Sequence, residues 1–145
     1  MTSSEYTEGQ VADVGKVSRT LDQYCRLIDE RDFDGVAALF TPDCTLKFGR
    51  DHPLIIRTSR DYREWLPARL EKFSKTRHQI SDVQVRSGQG VILSSCRLHA
   101  WHQFAHGAPD GLLWGEYHDR FIRVGNGYLI VERVLRVVVT QNMKL

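Results

Sequence analysis

Two side chains far apart in this sequence have the types needed for proton transfer: Asp29, in "QYCRLIDERDFDGVAALF" (residues 23–40), and His78, in "TRHQISDV". The first stretch reads as a helix, a two-residue break and a second helix. Asp29 falls at the end of the first helix, where the backbone dipole is negative and a carboxylate is misplaced by a few tenths to about 1 kcal/mol. A carboxylate that accepts a hydrogen bond from one imidazole nitrogen orients the ring and stabilises its charged form. The other nitrogen is then left to take a proton. Plainer readings exist: Asp29 paired with Arg26 or Arg31 at the surface, which is worth little, and His78 as a structural strand histidine. Spacing alone does not decide between them.

Further candidates sit in the second half. "VILSSCRLHAWHQF" alternates with period two. Arg97, His99, Trp101 and Gln103 share one face, while Cys96, Leu98, Ala100, His102 and Phe104 share the other. The second face is buried, in the core or under a neighbouring subunit; the first is exposed or lines a polar cavity. His99 and His102 are three apart on a strand and point to opposite faces, so no shared zinc, and no metal site, is expected. If "GNG" makes a three-residue hairpin loop, Val124 pairs with Tyr128 and Asp119 falls opposite Arg133, which reads as a cross-strand ion pair. Tyr117 points the same way as Asp119 and could donate a hydrogen bond to a substrate oxygen. Phe48, Trp65 and Trp101 are apolar walls of a pocket or plain core residues.

The elements that must position these groups follow from periodicity. From about Gln10, Val14, Val17, Leu21, Tyr24, Cys25 and Ile28 recur at helical spacing, giving a long amphipathic helix. Asp32 reads as the N-cap of a short helix with Val36, Ala37, Leu39 and Phe40 on its apolar face. "TPDC" breaks it, and "CTLKFG" is a short strand. Ser59 opens a third helix with Tyr62, Trp65, Leu66, Leu70 and Phe73 on one side. Four strands follow, at roughly 75–86, 91–105, 112–124 and 128–140, separated by "SGQG", "HGAPDG" and "GNG". Helices first and an antiparallel meander afterwards mean α+β, with a curved sheet around a long helix and a cavity between them.

Bulk composition narrows the class. The 145 residues suit one domain, and 41% hydrophobic with 26% charged residues is a globular composition. Residues 1–9 are polar and expected to be loose. The net charge of +2 comes from 20 scattered basic and 18 acidic residues, so nucleic acid is not an expected partner, and neither is a membrane. The N-terminus lacks the pattern of a signal peptide, and no apolar run approaches a membrane span. Cys25, Cys44 and Cys96 are widely spaced and form no CxxC, which suits reduced thiols in a cytoplasm.

"YCRLIDERDFDGVAALFTPDC", "TRHQISDVQV" and "GEYHDRFIRVGNGYLIVERVL" resemble the SnoaL-like branch of the nuclear-transport-factor-2-like superfamily, over roughly residues 12–140. The resemblance implies one SnoaL-like domain over 1–145: a cone of long N-terminal helices packed on a strongly curved antiparallel sheet enclosing a pocket. In the dehydratase and dehydrochlorinase branch, an Asp ending the first helix pairs with a His on the following long strand, and Asp29 and His78 match those positions. Bile-acid dehydratases carry a tyrosine five residues before that Asp, and Tyr24 fits it. Scytalone dehydratase has a second histidine on the next strand; by register its position here falls near Trp101, with His99 beside it. The dehydrochlorinase has a functional arginine matching Arg133, which would then face the pocket and stabilise an anionic leaving group or enolate.

The resemblance thus implies a cofactor-independent lyase or isomerase acting on a hydrophobic cyclic or carbonyl-bearing small molecule. Asp29, His78 and Tyr24 would be catalytic, with His99, Trp101, Tyr117, Arg133, Trp65 and Phe48 around the substrate. A non-catalytic ligand-binding or interaction module of the same fold and a polyketide cyclase are the alternatives. No phosphate-cradling glycine loop or serine nucleophile elbow is present, so no cofactor is expected. Assembly as a dimer or trimer is expected through the convex side of the sheet. That side is expected to carry Cys96, Leu98, Ala100, Phe104 and the apolar "YLIVERVLRVVV".

Overall fold

In the computed structural model, which describes residues 8–49 and 54–144, the long helical pattern folds as α1 (Glu8–Asp29). The helix therefore takes up the last residues of the tail expected to be loose; residues 1–7 lie outside the described ones. Val17, Leu21, Tyr24, Cys25 and Ile28 form its buried stripe, each contributing up to about 1.5–3 kcal/mol of burial. Asp13, also buried, ties the start of α1 to the last hairpin by accepting from Arg123 at 2.9 Å and from the Tyr128 hydroxyl. The helix ends in a left-handed cap: Asp32 N donates to Leu27 O at 3.0 Å and Arg31 N to Ile28 O at 3.2 Å. Glycine is the usual residue there. Arg31 takes it instead, at φ 63°.

Asp32 caps α2 (Phe33–Ala37) as its position predicts, accepting from Gly35 N at 2.9 Å. The helix ends at Ala37, ahead of "TPDC", and β1 (Phe40–Phe48) starts earlier than the expected "CTLKFG" strand and runs through Pro42. Pro42 is tolerated because the pairing of β1 with its neighbour lapses between Phe40 and Thr45, where no ladder donor is needed. A short β2 (Leu54–Ile56), invisible in the pattern, pairs back onto β1. α3 (Ser59–Leu70) is capped by Thr58 and is shorter than expected, since Phe73 already begins β3 (Phe73–Gly88). β4 (Val91–Phe104), β5 (Gly111–Val124) and β6 (Gly127–Gln141) complete the meander. No helix among the described residues is long and apolar enough to cross a membrane.

The architecture is α+β, with one curved sheet in the order β2-β1-β6-β5-β4-β3. It is mixed rather than purely antiparallel, because the meander returns β6 alongside β1 in the same direction. Two of the sheet's register shifts bear on the site. The last hairpin has a two-residue loop, so Val124 pairs with Gly127 and not with Tyr128 as expected. Val131 is then an extra residue between the pairs Phe121–Ile130 and Arg120–Glu132, which restores Asp119 opposite Arg133. On β3, a bulge between Ser81 and Gln84, with Asp82 at φ 52°, moves the partner of His78 from Trp101 to Ala100.

The face assignment on β4 corrects the expectation for assembly. Cys96, Leu98 and Ala100 are buried in the core that α1 shares, so they do not form a convex patch. Period two fixes which residues share a face. It does not say which face the helices cover.

Candidate active site

Asp29 and His78 meet. Asp29 Oδ1 lies 2.7 Å from His78 Nδ1, and the carboxylate also accepts from the His78 backbone N–H at 2.9 and 3.2 Å. The Thr76 hydroxyl donates to Oδ1 at 3.0 Å and itself accepts from Arg31 Nη1 at 2.7 Å. This network accounts for an acid at the wrong end of a helix: hydrogen bonds to a charged group are worth about 1.5–3 kcal/mol each, more than the dipole penalty. It also accounts for Arg31 in a left-handed conformation, since from there its guanidinium reaches both Ile28 O and Thr76. With Asp29 accepting, Nδ1 carries the proton and Nε2 is left basic. Both side chains are nearly covered, at 10% and 17% exposure for His78 and Asp29.

His78 lines a cavity of about 740 Å³ between α1, α3 and the inner face of the sheet. Ala100, its partner on β4, lines the same cavity. Two residues further, His102 faces the same way, its ring 5.7 Å from that of His78 and 4.6 Å from that of Phe73. Burial, and secondarily the charge of His78, lowers the His102 pKa to about 4, although a hydrogen bond with the Gly111 backbone pulls the other way. His102 is therefore neutral near pH 7. Its Nδ1 is buried without a partner among the described residues. Period two puts His102 on the buried face of its strand and gives it no role there beyond a zinc pairing that the strand geometry excludes. The bulge that brings it beside His78 has no clear signature in "ISDVQV" beyond an Asp able to take positive φ.

Three tyrosines line the same cavity, Tyr24, Tyr62 and Tyr117. The Tyr24 and Tyr62 hydroxyls are 3.0 Å apart. Burial pushes the phenols of Tyr62 and Tyr117 well above their ordinary range, so both stay neutral O–H groups. Tyr62 belongs to the apolar side of α3 that periodicity marks as core, and its hydroxyl was not anticipated as a site group. Phe48 and Trp65 stack at 5.6 Å and line the cavity.

Three expected site residues sit elsewhere. Arg133 is fully buried and does not line the cavity. It makes a two-point ion pair with Asp119 at 2.8 and 2.9 Å, and its guanidinium lies 3.8 Å from the Tyr117 ring centroid and 4.3 Å from that of Tyr24. Burial opposes its charge, but Asp119 outweighs that and raises the pKa further. Arg133 thus stands behind the tyrosines, not among substrate contacts. His99 and Trp101 lie on the outer face: His99 stacks on Trp114 at 4.7 Å and Trp101 Nε1 donates to Asp110 at 3.0 Å. The resemblance implies pocket positions for both, but the β3 bulge sets Ala100 and not Trp101 opposite His78, which leaves them on the outer face.

A larger groove of about 1230 Å³ runs from the start of α1 across the far half of the sheet. It contains neither member of the Asp29–His78 pair, so we place the site in the smaller cavity. Cys25, Cys44 and Cys96 are free and buried, with burial pushing their thiols up to about 12, 11 and 11. Such thiols are poor nucleophiles.

This fold recurs widely among solved structures. A scytalone-dehydratase-like protein of Novosphingobium aromaticivorans superposes with a TM-score of 0.89 at 21% identity, covering 97% of this chain and 93% of that one. A hexachlorocyclohexane dehydrochlorinase, LinA type 2, gives 0.81 at 8% identity over 92% and 90% of the two chains. In sequence, the uncharacterized protein Rv2910c of Mycobacterium tuberculosis is 26% identical over 126 residues, 86% of this chain and 85% of its own length. The profile of the SnoaL-like domain matches residues 9–134, nearly the whole of the helices and sheet described above, and the chain belongs to that family.

Proposed function

We propose that the protein is a cofactor-independent, dehydratase-like lyase or isomerase acting on a hydrophobic cyclic or carbonyl-bearing small molecule. The observation that carries this reading is the 2.7 Å Asp29–His78 contact at the wall of a half-open, largely apolar cavity. His78 Nε2 takes a proton from the carbon beside the substrate carbonyl. Asp29 holds the ring in place and stabilises the imidazolium that forms. The Tyr24 and Tyr62 hydroxyls, with Tyr117, donate to the oxygen on which charge develops. In an elimination, the electron pair left on carbon forms the double bond as hydroxide leaves, and the imidazolium returns its proton to the departing oxygen.

The branches of the family noted above, and structural neighbours that include a dehydrochlorinase, support a lyase or isomerase reading. A panel of β-hydroxy ketones and cyclic ketones, screened by thermal shift and then by turnover, tests the finer one. His78→Ala and Asp29→Asn are each expected to lower kcat by about 10²–10⁴-fold with the fold intact. Turnover at the parent rate in both variants would refute it.

A further inference from the structure

Among the described residues, the Asp, Glu, Lys and Arg side chains that line the cavity are of one sign. Among its described residues there is no Asp or Glu, whereas Arg69, Lys72 and Lys144 all reach it. Arg69 is in the last turn of α3 and Lys72 just beyond. Both bear on one ring: the Arg69 guanidinium lies 5.9 Å and the Lys72 ammonium 5.2 Å from the centroid of Phe73. Phe73 touches His102, which touches His78, so two ring contacts separate this cationic edge from the base.

Neither cation has an ion-pair partner among the described residues, although other arginines of α3 do. Arg60 pairs with Glu64 at 3.5 Å and Arg63 with Asp34 at 2.6 Å. Burial lowers the pKa of Arg69, and burial together with Arg69 lowers that of Lys72, as for cations held near one another without a counter-charge. Elsewhere in the molecule a buried arginine is neutralised by its own carboxylate, as Arg133 is by Asp119.

We infer that the cavity takes an apolar ring system bearing an anionic group, whose negative end sits between Arg69 and Lys72 at the mouth. The ring body lies along Phe48, Trp65 and Leu113 and points its reactive carbon at His78. A carboxylate in that seat supplies the counter-charge the lining lacks, in charge-assisted hydrogen bonds. This deepens the function proposed above and rests on it only for what happens at the ring end.

Calorimetric titration with matched pairs of acid and primary amide (benzoic, 2-naphthoic and 1-pyrenecarboxylic) tests it on the full-length protein. The acid of at least one pair is expected to bind about tenfold or more tightly than its amide at low salt, a gap of about 1.4 kcal/mol, and less so at high salt. Arg69→Gln and Lys72→Gln should each erode that preference while leaving amide binding unchanged, which also reports an intact fold. His78→Gln should retain it. Equal affinity for acid and amide, a preference that survives in the double Gln variant, or no binding by any pair would overturn the inference. A protein that prefers acids yet shows no turnover would keep this inference and lose only the catalytic reading.

Discussion

The residues around Asp29 show how a locally unfavourable choice is offset by long-range partners. The sequence marks Asp29 as electrostatically out of place, and the compensation comes from β3, where Thr76 and the His78 backbone and ring converge on one carboxylate. His102 was not legible as a site residue, because its place depends on the bulge at Asp82 rather than on any motif. Its burial has a pH consequence. With its native pKa near 4 and an ordinary histidine value of 6.5, the unfolded chain binds a proton between those limits that the native chain does not. Stability is therefore full above about pH 6.5 and falls as pH drops toward 4, by on the order of 3 kcal/mol. Urea unfolding at pH 7.5 and 4.5 should show this loss in the parent and a much smaller one in His102→Leu. Equal losses in the two proteins would remove His102 as the cause.

At the scale of elements, helical spacing identified α1 and α3 and turn chemistry identified the meander, because both are local signals. What escaped is non-local. The lapse in pairing that lets β1 run through Pro42, the short β2 and the parallel β1–β6 contact all depend on neighbours far away in sequence. The pairing of Asp119 with Arg133 was expected from a loop one residue too long, and it holds because the Val131 bulge adds the missing residue. The outer face of the sheet must likewise be read anew. It carries Leu93, Trp114 and Val139, which are 42%, 38% and 48% exposed, on neighbouring strands β4, β5 and β6. Trp114 and Val139 are cross-strand partners, an exposed apolar pair of the kind found where subunits meet, so the outer face, and not the Leu98–Ala100 side, is where we propose that copies of the chain associate. Sedimentation at micromolar concentration should then give a mass at least twice the 16.7 kDa of one chain. A Trp114→Lys variant should sediment closer to one chain. A parent protein that runs as a 16.7 kDa species would end this proposal.

For the whole molecule, the fold uses α1, α3 and the inner sheet face to enclose a cavity that is apolar along its walls. His78, held by Asp29, lies on one side, tyrosine hydroxyls on another, and Arg69 and Lys72, without ion-pair partners among the described residues, reach the same cavity. Burial keeps the Tyr62 and Tyr117 phenols and His102 neutral, and Asp29 holds the His78 ring through Nδ1. The central claim is that His78 removes a proton from carbon. Deuterium wash-in measures that step without requiring the natural leaving group. Cyclic ketones that bind the protein, incubated with it in D₂O and followed by NMR, should exchange hydrogen at the carbon beside the carbonyl. His78→Gln should slow that exchange by about 10²–10⁴-fold. Exchange in His78→Gln at the parent rate would contradict the account.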